Sequence, residues 1–114
     1  MAKYALIFGG DAESNRAWEN FSEEQRAQGM QMVGQWMGAH ADKLVITHQL
    51  EDSAKAMRVR FTDGVPAVTD GPFIEAKETI GGFAIFEVAD EAEAVELAKT
   101  WPAQGIVDVR LVVR

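Results

Sequence analysis

The chain has 114 residues, a formal net charge of −7 and no cysteine. Its length predicts a single domain over residues 1–114, which at this size buries about two-thirds of the surface of the unfolded chain. The lack of cysteine excludes disulfides and thiolate metal sites, and the negative charge disfavours nucleic acid, because phosphate groups carry the same sign. The apolar run at residues 4–8 is too short for a signal-peptide core or a membrane span. The sequence therefore predicts a cytoplasmic protein with neither a nucleic-acid nor a membrane partner.

The first half of the chain predicts a strand, a loop and a helix. Residues 3–8 form an apolar run that ends at a glycine pair, which favours a strand. Residues 11–21 are polar with isolated aromatic side chains, which favours a loop. Ser22 then begins a capping box with Gln25, so we expect a helix over residues 23–38. Three glycines weaken that helix, and their spacing predicts close packing against a neighbour: Gly29, Gly34 and Gly38.

The second half predicts five more strands, at residues 43–50, 56–61, 65–69, 79–88 and 106–113. Asp63-Gly64 is a hairpin turn signal, and Pro66 confines the strand after it to a sheet edge. Asp90 caps a second helix, which Pro102 stops. The order β-α-β, hairpin, β-α-β is typical of a ferredoxin-like α+β fold, with a four-stranded antiparallel sheet and both helices on one face.

The predicted sheet is apolar on both faces. Leu6 and Ile7 point to opposite faces of the first strand, and the later strands show the same pattern. Two helices cover only one face, and the other would leave an apolar patch larger than monomers usually expose. We therefore expect a homodimer that forms through this sheet face. The alternative is that the chain's own segments at residues 11–21 and 67–77 fold over it.

Residues 70–78 combine a turn motif with a cluster of charges. In a structural interpretation Asp70 accepts hydrogen bonds from nearby backbone N–H groups, Pro72 fixes its own φ, and Phe73 fills a gap in the core or interface. In a functional interpretation the segment rims a cleft between subunits, where one carboxylate stays ionised and another serves as a general acid or base. The charged residues concerned are Asp70, Glu75, Lys77 and Glu78. A third interpretation is an ordinary solvated turn.

This segment, with the glycine pair that opens the next strand, resembles the DGPF-motif branch of the YCII-related family. The matching positions are Asp70-Gly71-Pro72-Phe73, Glu75, Lys77, Glu78 and Gly81-Gly82. The resemblance implies a dimeric α/β-barrel, in which ferredoxin-like subunits pack sheet against sheet. Family members are often encoded beside sigma factors of the extracytoplasmic-function type, which implies a regulatory role. Similar barrels include isomerases and cofactor-independent oxygenases, although fold does not set function.

One departure from the wider family concerns catalysis. YCII-type relatives carry a histidine on the first helix and an aspartate near the start of the second strand, which are proposed to act as a catalytic dyad. The helix predicted at residues 23–38 contains no histidine, and Asp42 stands near the second position without that partner. The dyad is therefore not carried over to this chain.

Outside residues 70–78, the candidate site residues are one histidine and two arginines. His48 shares the parity of Leu44 and Ile46, so we expect it on an apolar strand face. Histidine titrates near neutrality, which suits acid–base chemistry, and the alternative is a partly buried structural histidine. Arg58 and Arg60 share one face of the hairpin strand, where they either hold a carboxylate or phosphate ligand or pair with surface acids.

The sequence leaves three classes of function open. The first is a small-molecule-binding or regulatory accessory homodimer. The second is a cofactor-free enzyme that performs isomerase- or lyase-type proton transfer in a cavity lined by His48, Asp70 and Glu75. The third is a structural interaction protein. Two histidines without cysteine show no metal-ligand spacing, so we expect neither a metal nor a cofactor. The binding residues we expect are Arg58, Arg60, Phe73, Lys77 and Glu78.

Overall fold

The computed structural model describes residues 1–70, 78–103 and 105–114, without the side chains of residues 54, 70 and 78. These residues form six strands, three α-helices and one short 3-10 turn. The elements in chain order are β1 (Ala2–Asp11), α1 (Ala12–Asn20), α2 (Glu23–Ala39), β2 (Leu44–Gln49), the 3-10 turn (Ser53–Lys55), β3 (Met57–Thr62), β4 (Val65–Asp70), β5 (Glu78–Val88), α3 (Glu91–Lys99) and β6 (Ile106–Leu111).

Four of the strands form one antiparallel sheet in the order β2-β5-β1-β6. This order and the two β-α-β halves confirm the ferredoxin-like α+β fold. Strands β3 and β4 pair with each other in a separate two-stranded sheet. Asp63 and Gly64 join them with φ values of 52° and 80°, as the two central residues of a type I′ turn require. The predicted hairpin is therefore confirmed.

The core lies between the sheet and the helices α2 and α3. Leu6, Phe86 and Val88 are fully buried there, and burial of each such side chain contributes roughly 1.5–3 kcal/mol. Phe8 stacks on Trp101 with ring centroids 3.9 Å apart. The ring of Trp36 in α2 meets that of Phe8 edge to face, with centroids 6.1 Å apart, so this aromatic cluster joins α2 to the sheet.

The helix starts that the sequence predicts at Ser22 and Asp90 are confirmed. The Ser22 hydroxyl accepts from the Gln25 backbone N–H at 3.1 Å, and the Gln25 side chain accepts from the Ser22 N–H at 2.8 Å. The Asp90 carboxylate accepts from the Glu93 N–H at 2.9 Å. Each cap satisfies backbone donors that a helix start otherwise leaves without a partner, and each contributes about 1 kcal/mol.

The prediction of a loop at residues 11–21 was wrong, because helix α1 occupies most of this segment. Asp11 caps it by accepting from the Ser14 N–H at 2.9 Å. The helix has no buried residue, so the sequence lacks the apolar stripe by which a helix is usually recognised. Helix formation here depends on the cap and on contacts with α2.

The prediction that the glycines of α2 mark close packing was wrong for two of the three. A methyl group at Gly34 or Gly38 would meet no atom within 4 Å, whereas one at Gly29 would lie 3.8 Å from the Trp18 ring. Helix α2 buries Trp36 near its C-terminal end, and Met30 is exposed in its first half. Helix α2 therefore packs mainly through its C-terminal half.

The face of the sheet opposite α2 and α3, called the open face below, is largely apolar. Its apolar members follow from the strand register and are Ala5, Ile7, Ile46, Phe83, Ile85 and Ile106; its polar members are Lys3, His48, Glu87, Asp108 and Arg110. Ile46 is 43% exposed and Ile80, at the end of this face, is 55% exposed. The apolar character of this face agrees with the sequence. Its burial by a second copy stays a prediction. None of the described helices is long and apolar enough to cross a membrane.

Candidate functional site

A depression of about 180 Å³ lies at one end of the open face. Its lining comes from three neighbouring strands, β1, β5 and β6, and consists of Ile7, Gly9, Gly10, Thr79, Ile80, Ile106 and Asp108. Strand β5 enters the sheet at this end, immediately after residues 71–77, which lie outside the described residues. The depression is therefore next in the chain to the motif that the sequence analysis singled out.

Glycines create the depression by letting backbones approach closely. The pairing of β1 with β5 shifts register after Phe8, so that Gly9 lies opposite Ile80 and Gly81 has no partner in β1. A side chain at Gly9 would collide with the Thr79 carbonyl. Gly105 has φ +122°, and a side chain there would collide with the Gly9 carbonyl. The floor of the depression is thus bare backbone flanked by isoleucines.

Few polar groups line the depression. Asp108 lies opposite Ile7 in the strand register and is exposed, so its carboxylate stands on the open face beside apolar side chains. The Asn15 amide nitrogen donates to the Thr79 hydroxyl at 3.1 Å, which links α1 to the rim. Beyond the rim, hydrogen bonds from Ser14 hold the pKa of Asp11 below its ordinary value of 3.8. Asp108 is therefore the charged group of the described lining, and Arg110 lies two residues further along the same face of β6.

His48 lies on the open face but differs from the sequence expectation in two respects. A bulge at Val45 makes Leu44 pair with Phe86, on the core side, while His48 pairs with Phe83. Leu44 and His48 therefore lie on opposite faces, contrary to their parity in the sequence. His48 is exposed rather than partly buried. Its ring is 5.9 Å from that of Phe83, and within the described residues no acid or base is hydrogen-bonded to it.

The motif at residues 70–78 is described only at its two ends. Asp70 ends β4 opposite Met57, and Glu78 begins β5 opposite Asp11. These two candidates thus lie in different sheets. Phe73, Glu75 and Lys77 lie outside the described residues, so their predicted roles stay predictions.

Arg58 and Arg60 lie on one side of the hairpin, opposite Thr69 and Ala67 in the register. Both are exposed, and the shared face that the sequence predicts for them is confirmed. They belong to the two-stranded sheet, whereas the depression belongs to the four-stranded one. Their predicted role in ligand binding stays a prediction. The described part of the chain brings no three His, Asp or Glu side chains together as a metal would require.

Sequence reasoning missed Thr79, Ile106 and Asp108 as site residues. A signal was present, because two glycine pairs, at residues 9–10 and 81–82, occur at opposite ends of strands that pair antiparallel. The proximity of these pairs can be inferred only when the strand order is known. Asp108 had a second signal, since it is the single acid of β6, a strand whose other members are apolar apart from Arg110. The described residues show no ion pair between those two side chains.

The fold and the depression together define a small ferredoxin-like protein with an apolar sheet face and a shallow acidic concavity at one end. The model of the YCII-related domain matches residues 5–114. An uncharacterized protein of Rhizobium meliloti (strain 1021) is 30% identical over 111 residues, which cover 94% of this chain and 89% of that relative. The chain belongs to the YCII-related domain family.

Proposed function

We propose that this protein is a small-molecule-binding homodimer of the DGPF-motif branch, with its ligand site at the depression on the open face. The observation that carries the proposal is the position of a concavity within an exposed apolar surface. Two open faces packed together would lie about 10 Å apart, as stacked sheets do. Each depression would then be roofed by the partner. A ligand site in such a dimer is suited to a regulatory accessory protein.

The volume of the depression supports a site that a second copy completes. Ligand pockets usually enclose about 300–1,000 Å³ and bury most of the ligand surface. The depression holds about 180 Å³ and is open to solvent. A single subunit therefore offers part of a pocket, and the wall that closes it must come from outside the described residues.

The lining indicates the chemical class of the ligand. Ile7, Ile80 and Ile106 supply apolar walls, and Asp108 supplies one carboxylate. An apolar molecule that carries an amine fits this combination, because burial of an unpaired carboxylate is costly and a cation removes that cost. The net charge of −7 also attracts cations over longer distances. We therefore propose small arylalkyl or alkyl amines as ligands.

The described surroundings of His48 do not support proton-transfer catalysis. A catalytic histidine is commonly oriented by a second hydrogen-bonded group, such as a carboxylate. The described residues give His48 a ring contact with Phe83 and no hydrogen-bonded acid or base. The proposal is therefore binding without turnover.

Sedimentation equilibrium at micromolar concentrations tests the dimer. Ile46→Glu places a charge at the open face, and we expect it to produce a monomer. Met32→Glu is the matched control, since Met32 is exposed to a similar degree, 48% against 43% for Ile46, but belongs to α2 on the other side of the sheet. A wild-type protein that sediments as a monomer would contradict the proposal, as would equal effects of the two variants.

Calorimetric titration with phenethylamine and with 3-phenylpropionate tests the ligand class. These probes have similar size and opposite charge, and we expect binding of the amine alone. Asp108→Asn should weaken amine binding by about tenfold, which corresponds to one lost charge-assisted contact. Asp42→Asn removes the same charge from an exposed turn and should leave binding unchanged. Equal binding of both probes, or an equal loss in both variants, would overturn the assignment.

A further inference from the structure

The hairpin formed by β3 and β4 has an exposed apolar side. Its members lie on one face because they alternate along each strand and pair across it: Met57, Val59, Phe61, Pro66 and Val68. Val59 pairs with Val68, and Phe61 pairs with Pro66. The exposed fractions of Met57, Val59, Phe61 and Val68 range from 51% to 69%. The other side carries Arg58, Arg60 and Thr62 of β3 and Val65, Ala67 and Thr69 of β4.

This arrangement needs a covering surface. A two-stranded hairpin is at best marginally stable in water, and it requires further strands or packing against another element. In the described part of the chain, the extensive contacts of β3 and β4 are with each other. Residues 57–69 are all exposed. An apolar side of this size on a protruding arm is typical of an interaction surface.

The area that a dimer must bury points to a second copy as the covering surface. The open face has four strands of between six and eleven residues, which at ~4.8 Å between strands and ~3.3 Å per residue gives a footprint of roughly 500 Å². A stable interface buries about 800 Å² on each partner. The hairpin adds two strands of similar length, or roughly 200 Å². Side chains make the accessible area larger than these flat footprints, so the sheet and the hairpin together approach the buried area that a stable dimer requires.

Charge permits the same occupant. The hairpin, residues 57–70, carries no net charge, because Arg58 and Arg60 are balanced by Asp63 and Asp70. The whole chain has a net charge of −7, so the rest of the molecule is strongly acidic. A neutral hairpin with an apolar side therefore meets a second acidic body without the like-charge repulsion that an acidic arm would meet.

We propose that the apolar side of the β3–β4 hairpin packs against the second copy of this chain and extends the dimer interface beyond the sheet. This inference rests on the homodimer of the proposed function and adds a second contact region to it. The hairpins act as two symmetry-related arms, each held in place by the other subunit. The arm becomes ordered by assembly rather than by its own contacts.

Phe61→Glu and Thr62→Glu test the proposal as a matched pair. Adjacent residues of β3 point to opposite sides, so both variants add one negative charge to the same arm but only Phe61→Glu places it on the apolar side. Sedimentation equilibrium should show that Phe61→Glu weakens dimerisation at least about tenfold more than Thr62→Glu. Both residues are exposed in the single chain, so circular dichroism should report intact folding in both variants.

Hydrogen exchange at protein concentrations above and below the dimer dissociation constant provides the second measurement. Amides of residues 57–69 should gain protection with dimerisation, while those of the buried strand β1 stay protected throughout. Equal dissociation constants for the two variants, or hairpin protection that is independent of concentration, would overturn the arm but leave the dimer standing. A wild-type monomer would instead remove the proposed function on which the inference rests.

Discussion

The indole Nε1 of Trp36 donates a hydrogen bond to the hydroxyl of Thr100 at 2.8 Å. The same hydroxyl donates to the Leu97 carbonyl at 2.7 Å. The Thr100 side chain therefore satisfies the polar edge of a buried tryptophan and gives a second hydrogen bond to the Leu97 carbonyl, which also accepts from the Thr100 backbone N–H at 3.1 Å. This contact joins the C-terminal halves of α2 and α3 above the sheet.

Replacement of Thr100 by Val should lower the free energy of unfolding by about 1–2 kcal/mol. Valine keeps the shape of threonine but leaves the buried indole N–H without an acceptor, and an unsatisfied buried donor costs about this much. Urea denaturation followed by tryptophan fluorescence measures the change. Thr100→Ser retains the hydroxyl and should lose clearly less stability than Thr100→Val. Equal stability of Thr100→Val and wild type would show that the hydrogen bond contributes nothing.

Two glycine substitutions should change stability in opposite directions. Gly105→Ala should destabilise by about 2 kcal/mol or more, because the backbone has φ +122° and the added methyl collides with the Gly9 carbonyl. Gly34→Ala should stabilise by up to about 1 kcal/mol, because it lies inside α2 with open space around it. Thermal unfolding of both variants measures the difference. Stabilisation by Gly105→Ala would contradict the close approach of backbones beneath the depression.

Local signals made much of the fold predictable. Ser22 and Asp90 are helix caps whose chemistry operates within four residues, and Asp63-Gly64 sets its turn through two backbone angles. Helix α1 was not predictable in this way. Its sequence shows no apolar stripe, and its contacts with Arg26 depend on where α2 lies.

The candidate site was less predictable than the fold, because it depends on register. The bulge at Val45 separates His48 from Leu44, and no sequence rule places a bulge at that position. Asp108 meets Ile7 only because β6 pairs with β1 at a particular offset. The sequence shows which residues of one strand are candidates for a site, whereas strand order and register determine which of them share a concavity.

Asp11 should make the stability of α1 depend on pH in the acidic range. Hydrogen bonds from Ser14 hold its pKa below the ordinary value of 3.8, so the folded state binds this proton more weakly than the unfolded state. The stabilisation is therefore present above pH 3.8 and is lost as the pH falls through the lower folded-state pKa. Asn is also a good cap but does not titrate.

The measurement for Asp11 is a comparison of wild type with Asp11→Asn. The stability of wild type relative to this variant should decrease as the pH is lowered from 6 to 3, when urea denaturation is repeated at each pH. The other carboxylates titrate in both proteins, so their contribution cancels in the difference. A difference that does not change with pH would contradict the cap.

Arg26 fastens the C-terminal end of α1 to α2. Its Nε and Nη2 donate to the Trp18 carbonyl, each at 3.1 Å, and Nη2 also donates to the Glu19 carbonyl at 3.0 Å. Its guanidinium carbon lies 5.6 Å from the centre of the Trp18 ring. Free carbonyls at a helix C-terminus favour a cation, and α1 has no basic residue in its last turn. The arginine of the next helix supplies that cation.

Arg26→Ala should therefore release α1 while leaving the core intact. We expect faster hydrogen exchange at residues 12–20, and a loss of about 1 kcal/mol in the free energy of opening this helix, since α1 has no buried residue to hold it. Exchange in β1 and β5 should stay unchanged. Arg16→Ala is the matched control, because it removes the same charge from α1 itself, and the described residues give Arg16 no hydrogen bond or ion pair. Arg26→Lys provides one nitrogen in place of the planar fork and should show intermediate exchange. If Arg16→Ala opened α1 as much as Arg26→Ala, the helix would be sensitive to charge alone and the fork of hydrogen bonds would have no specific role.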